Sequence, residues 1–247
     1  LWLLKLGANV VGVSKDTPTK PSLFEDLNLK EHITHHTLDI SLDSGLGKIV
    51  FQEKPDYVFH LAAQAIVSES VRKPRFNWET NVIGFLNILM SLKNLNKKCT
   101  AVMITSDKCY KNFEKKSGYK ENDILGGEDP YSASKASAEI LFYSFYKTYV
   151  YKKNRKLRVA TARAGNVVGG GDWSKDRLIP DCMRSWLKNK KVIIRNPKST
   201  RPWQHVLEAV YGYLVLASNL SINNSLNGQS FNFSSNQIKN VDVSKFL

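Results

Sequence analysis

The sequence predicts a doubly wound α/β fold: a mostly parallel sheet with helices on both faces, followed by a smaller lobe. Three observations predict it. Short apolar runs alternate with longer helical segments through the first 165 residues, the rhythm of successive βαβ units. The run Ala101-Val-Met-Ile-Thr-Ser106 reads as a buried strand ending in polar residues. After Asn166 glycine, proline and tryptophan become frequent and the rhythm weakens, which marks a second unit.

The elements follow in order. Residues 1–6 read as the end of a helix with Gly7 as its C-cap. Residues 9–14 read as a buried strand, and 34–38 as a short one. A helix at 46–53 precedes Pro55-Asp56, which turns the chain into a strand at 57–61. Helices at 76–95 and 131–151 enclose the strand at 101–106, and a further strand follows at 157–162. In the second unit, helices at 178–189 and 204–219 flank a short strand at 192–195. The boundary falls between 1–165 and 166–247, with the two parts partly intertwined.

Composition narrows the function classes. Hydrophobic residues make up 42% and charged residues 23%, the balance of a folded globular chain. No apolar run approaches the length of a membrane span. Three cysteines, Cys99, Cys109 and Cys182, show no metal-ligand spacing and point to reduced thiols in the cytoplasm; no metal is expected. Lys+Arg exceed Asp+Glu by 36 to 22, giving a net charge of +14. The basic residues are scattered, so they read as a solvated surface or as steering for small anionic ligands, not as a specific nucleic-acid site.

The chemistry centres on Tyr131-Ser-Ala-Ser-Lys135. Asp129 suits a helix N-cap and Pro130 the first helical position. Tyr131 then sits in the first turn, with Lys135 one turn further on the same face. A tyrosine must lose its phenolic proton to act as a base near neutral pH, and a nearby ammonium favours the phenolate. Ser106, Asp107 and Lys108 lie at the carboxyl end of the 101–106 strand, where open α/β sheets place their ligands. Ser106 supplies a hydroxyl to pair with Tyr131.

A strand serine, followed by tyrosine and lysine four apart on the next long helix, resembles the catalytic group of the extended short-chain dehydrogenase/reductase family. His60-Leu-Ala-Ala-Gln64 and Thr80-Asn81-Val82 also resemble stretches of that family, and a narrower set of segments occurs in order: Tyr57-Val-Phe-His-Leu-Ala-Ala-Gln64, Thr105-Ser-Asp-Lys-Cys-Tyr110, Gly126-Gly-Glu-Asp-Pro-Tyr-Ser132, Arg163-Ala-Gly-Asn-Val-Val-Gly-Gly-Gly-Asp-Trp173, Asp176-Arg-Leu-Ile-Pro180, Arg195-Asn-Pro197 and Arg201-Pro-Trp-Gln-His-Val206. Together they resemble the CDP-type nucleotide-sugar 4,6-dehydratases over nearly the whole chain.

The resemblance implies a Rossmann-like NAD-binding domain and a nucleotide-sugar substrate. It implies that Ser106, Tyr131 and Lys135 oxidise the sugar at C4, that Asp107 is the acid at C6 and that Lys108 is the base at C5. Relatives acting on dTDP-glucose carry an Asp-Glu pair where this chain has Asp107-Lys108, so the lysine departs from that pattern. Cofactor contacts are implied at Ser14, Asp39, Ile40, Leu61, Ala62, Ala63, Gln64 and Asn81, beside Tyr131 and Lys135. Substrate contacts are implied at Asn166, Arg177, Leu178, Ile179, Arg195, Arg201 and His205. Arginine suits a diphosphate because its planar fork holds phosphate oxygens bidentately. Lys15 is a mild NADP signal, but a cofactor recycled within one turnover favours NAD. The helices at 76–95 and 131–151 resemble the pair that builds dimers in the family, which makes a homodimer the expectation.

The family's glycine-rich turn does not precede Asn9. With Leu1-Trp2 inside an apolar segment, the first strand and that turn are expected to lie ahead of residue 1, and further residues are expected after 247. Two alternatives remain beside the dehydratase: a nucleotide-sugar 4-epimerase, which keeps Ser, Tyr and Lys without needing the Asp107-Lys108 pair, and a non-enzymatic NAD-binding protein.

Overall fold

The computed structural model describes residues 1–42, 45–115, 117–234 and 241–246. After the short helix α1 (Trp2–Lys5), strand β1 (Val11–Ser14) runs parallel to β2 (Thr34–Thr37), with Val11 opposite Thr34; the one-turn helix α2 (Leu23–Asp26) lies between them. Helix α3 (Leu46–Glu53) leads into β3 (Tyr57–His60). Next come α4 (Val67–Arg72), α5 (Pro74–Trp78) and α6 (Gly84–Lys93), then β4 (Cys99–Ile104), α7 (Pro130–Phe145) and β5 (Leu157–Ala164).

The remaining elements are β6 (Asn166–Val168), α8 (Leu178–Trp186), β7 (Thr200–Arg201), β8 (Trp203–His205), α9 (Val206–Ile222), β9 (Ser230–Phe233), β10 (Val241–Asp242) and α10 (Val243–Phe246). A four-stranded parallel sheet runs in the order β3-β4-β5-β9. Thus β9, late in the chain, returns to pair with β5 of the first unit. In the later part of the chain β6 pairs with β8 in parallel and β7 with β10 antiparallel.

The alternation of strand side chains explains the two layers. Ala101, Met103, Leu157 and Val159 face a core made with α3, α6 and α7, through Leu46, Val50, Phe85, Leu89, Leu92 and Phe142. Val102, Ala160 and Ala162 point the other way, against Ala209, Tyr213 and Leu216 of α9. Both faces of β4 and β5 are largely buried, so residues 101–104 are apolar throughout, while Arg158, Thr161 and Arg163 interrupt the apolar run of β5.

The two long helices that flank β4 each include a wider turn. The helix expected at 76–95 is α5 and α6 joined by a π-helical turn, Glu79–Ile83; α7 ends in another, Tyr146–Val150. The first π turn buries Thr80 and Asn81. The strand expected at 192–195 does not form: no described strand lies beside it, and Ile193 is 88% exposed. Its β-branched run favours an extended backbone, but a strand needs a neighbour to pair with. Among the described residues no helix is long and apolar enough to cross a membrane, and no cluster of ligands could hold a metal ion.

Candidate active site

Parallel topology sets the site. His60, Ser106 and Gly165 follow from or end β3, β4 and β5, so all three stand at one edge of the sheet. Helix α7 begins beside that edge. Asp129 caps it, Oδ1 accepting from the Ser132 amide at 3.0 Å and Oδ2 from the Ser132 hydroxyl at 2.6 Å. Gly127 ahead of the cap is obligatory, because a Cβ there would come within 2.3 Å of the Ala133 backbone nitrogen.

The structure brings the expected catalytic group together. The Ser106 hydroxyl lies between two partners, donating to Asp107 Oδ1 at 3.1 Å and facing the Tyr131 phenol. Burial raises the Tyr131 phenol above its ordinary value; the hydrogen bond from Ser106 opposes that, as does the charge of Arg177. Lys135 Nζ stands 6.0 Å from the centre of the Tyr131 ring. Lys135 is buried, which pulls it down to about 8, against the opposing negative charge of Glu139. Burial also raises the Asp107 carboxyl, with Lys108, Ser106 and Arg201 pulling against it, so Asp107 favours its protonated form more than an ordinary aspartate does. Lys108, by contrast, is exposed: its amide donates to Ser106 Oγ at 3.2 Å, and its residue lies on the open side of the site.

The expected cofactor residues line the carboxyl ends of β1, β2 and β3. Ser14 Oγ is 2.9 Å from His35 Nε2. Asp39 is held on both oxygens, by Lys15 at 2.7 Å and by the Ser41 hydroxyl at 2.7 Å. Ile40 is buried against Gly84, where a Cβ would meet it at 2.7 Å. Leu61 is 57% exposed, Ala62 and Ala63 are half-buried, and Gln64 is buried with Oε1 lacking a hydrogen-bond partner. Asn81 is spent internally: Oδ1 accepts from the Gln64 amide at 2.8 Å, and Nδ2 faces Gln64 O, Asn77 Oδ1 and Ser134 Oγ at 3.0–3.1 Å. It therefore shapes the 61–64 turn rather than presenting a polar atom to a ligand.

The residues expected to contact substrate divide. Arg177 and Arg201 lie near enough to act electrostatically on Tyr131 and Asp107 respectively. Arg177 is also paired with Asp172 at 3.0 Å and precedes Leu178 and Ile179 in the first turn of α8. Arg195 reaches Asp176 at 3.5 Å, away from the catalytic group. Asn166 opens β6 opposite Trp203. His205 caps α9: Nδ1 accepts from the Leu207 amide at 3.2 Å, while Glu208 returns a bond to its own amide.

Two groups at the site were not singled out from the sequence. His60 is buried against Phe85, 5.5 Å between ring centres, and burial and the nearby Lys135 push it down to about 3, so it is neutral. Glu139 lies under Lys135 in a buried pair with Arg163. The four-residue step from Tyr131 to Lys135, taken once more, reaches Glu139, and that was the available signal.

Comparison with known proteins supports this geometry. The family model described as GDP-mannose 4,6 dehydratase matches residues 1–244. The chain is 45% identical over 236 residues, 94% of its length, to a CDP-glucose 4,6-dehydratase of Salmonella typhimurium, and spans 66% of that relative, just under two thirds. Two solved structures share the fold. One is a UDP-glucose 4-epimerase from Thermotoga maritima, at TM-score 0.79 and 23% identity, covering 99% of this chain and 74% of that one. The other is the dTDP-glucose 4,6-dehydratase DesIV of Streptomyces venezuelae, bound to NAD, at TM-score 0.77 and 20% identity, covering 94% and 70%. By a family match across nearly its full length, the chain belongs to the GDP-mannose 4,6-dehydratase family.

Proposed function

We propose that the protein is an NAD-dependent nucleotide-sugar 4,6-dehydratase acting on CDP-glucose. The observation that carries this reading is the Asp107-Lys108 pair directly after Ser106, with Asp107 half-buried and near enough to act electrostatically on the Tyr131 phenol. C4 oxidation alone needs no such pair, so it favours elimination over epimerisation. The similarity to the Salmonella enzyme supports the CDP-sugar.

The residues present fit NAD. The 61–64 turn leaves Leu61 open to solvent and a buried Gln64 oxygen without a partner, and Ser14, Asp39 and Ile40 stand at the neighbouring strand ends. NAD, when bound, supplies the acceptor for the C4 hydride and its later donor to C6. Tyr131, its phenolate favoured by the Lys135 ammonium, takes the proton from the C4 hydroxyl while Ser106 orients it. The ketone at C4 acidifies the C5 proton. Lys108 takes that proton and Asp107, whose carboxyl burial raises above its ordinary value, gives one to the departing C6 hydroxyl. Lys108 is exposed on the open side of the site. Arg177 and Arg201 bind the diphosphate side of the substrate, and Asn166, Leu178, Ile179, Arg195 and His205 belong to the surrounding lobe.

The same reading places a substrate-binding lobe in 166–247 beside an NAD-binding domain in 1–165, makes the protein a homodimer, and sets it in the cytoplasm. Three unpaired, buried cysteines support the last of these. The test is product analysis with Lys108→Met. Reduced cofactor is expected to accumulate while solvent deuterium no longer enters C5. Release of the 4-keto-6-deoxy product at the parent rate would show that the base lies elsewhere. An accompanying Asp107→Asn variant is expected to slow water loss with less effect on C5 exchange.

A further inference from the structure

Beneath the catalytic helix lies a buried polar network that the mechanism above does not use. Glu139 is four residues beyond Lys135 on α7, and its side chain is 1% exposed. Its Oε1 accepts from the Thr105 hydroxyl, and Thr105 is the residue before Ser106. Its Oε2 accepts from Thr161 at 2.9 Å, from Ser230 at 3.0 Å and from Arg163 at 2.7 Å. Arg163, 4% exposed, also donates to the Tyr110 hydroxyl at 2.8 Å and to the Glu121 carbonyl at 2.9 Å. One carboxylate thus ties α7 to β4, β5 and β9 directly behind the reacting edge.

A buried pair of this kind is a poor way to gain stability, since apolar residues of similar volume often serve as well. Its placement suggests another use. We propose that Glu139 is a positioning residue for the catalytic group: it fixes Thr105, and through it Ser106, against α7, and it places a negative charge one turn from Lys135 that favours the ammonium. This rests on the reading of Tyr131 as the base. The groups facing Lys135 are Tyr131 and Glu139 on its own helix, His60 at the end of β3 and Cys109 after β4. His60 is neutral and Cys109 is a buried thiol pushed up to about 12, so Glu139 is the anion among them.

The experiment is NMR titration of lysine Cε in the protein, with Lys135 assigned by loss of its resonance in Lys135→Arg. In Glu139→Gln the midpoint of Lys135 is expected to fall by about one pH unit or more, and the alkaline limb of kcat is expected to move down with it while KM changes little. Should that variant not fold, Glu139→Gln with Arg163→Met removes both charges and leaves no buried ion unpaired. The double variant is also expected to titrate below the parent. A structural staple predicts the opposite: Lys135 at the parent midpoint in whichever variant folds, an outcome that overturns the proposal. The NMR readout requires no turnover. If the parent fails to convert CDP-glucose, the proposed reaction fails while the role of Glu139 is still decided.

Discussion

Tyr131 carries the most demanding task of any single residue, because burial alone raises its phenol and a base needs the phenolate. Ser106 and the charge of Arg177 oppose that burial. Removing only the hydroxyl, in Tyr131→Phe, changes little surface and is expected to lower turnover by about 10²-fold or more with substrate binding nearly intact; steady-state kinetics and calorimetry check both halves. His60 gives a second prediction, on stability. Its folded-state value of about 3 lies below the 6.5 of an unperturbed imidazole. Between pH 6.5 and 3 the unfolded chain therefore holds a proton that the folded chain refuses. The stabilisation is complete above 6.5 and is lost as pH falls towards 3. In urea denaturation, His60→Gln is expected to show a shallower decline in stability between about pH 6.5 and 5 than the parent. An equal slope would mean that His60 is solvated.

At the scale of elements, the start of α7 matters most. Its first turn holds Tyr131, and Asp129 satisfies the Ser132 amide. Asp129→Ala is expected to cost about 1 kcal/mol of stability, measured by urea unfolding. It is also expected to lower kcat, because the loosened turn carries the base; an unchanged kcat would show that packing alone holds Tyr131. The cap, the proline and the Tyr-Lys step are all local, and all were legible in the sequence. The π turn at Glu79–Ile83 was not. It exists because Asn81 must reach the Gln64 backbone, Asn77 and Ser134 together, a condition set by three other segments.

For the whole molecule, the open question of assembly falls on α5, α6 and α7. Trp78, Ile83, Ile140 and Tyr143 are exposed on these helices, at 37%, 45%, 60% and 60%. Apolar side chains left on neighbouring helices suit burial against a second copy. Ile140→Glu is expected to shift sedimentation from dimer towards monomer, leaving the far-UV spectrum unchanged. A parent that sediments as a monomer would overturn the dimer.

The sequence by itself determined the class of fold, the order of the βα units, and the candidate trio Ser106, Tyr131 and Lys135 with the edge at which it lies, because periodicity, capping and helical spacing act over a few residues. It also determined that Asp107 and Lys108 follow Ser106 at that edge. Only the tertiary structure decided the rest. It returned β9 to the sheet beside β5, left 192–195 unpaired, half-buried Asp107 while exposing Lys108, spent Asn81 on the backbone of Gln64, and set Glu139 and Arg163 beneath Lys135. Each of these depends on which distant segment arrives alongside. Burial and the charge of a neighbour are properties of that arrangement, and no local pattern in the chain records them.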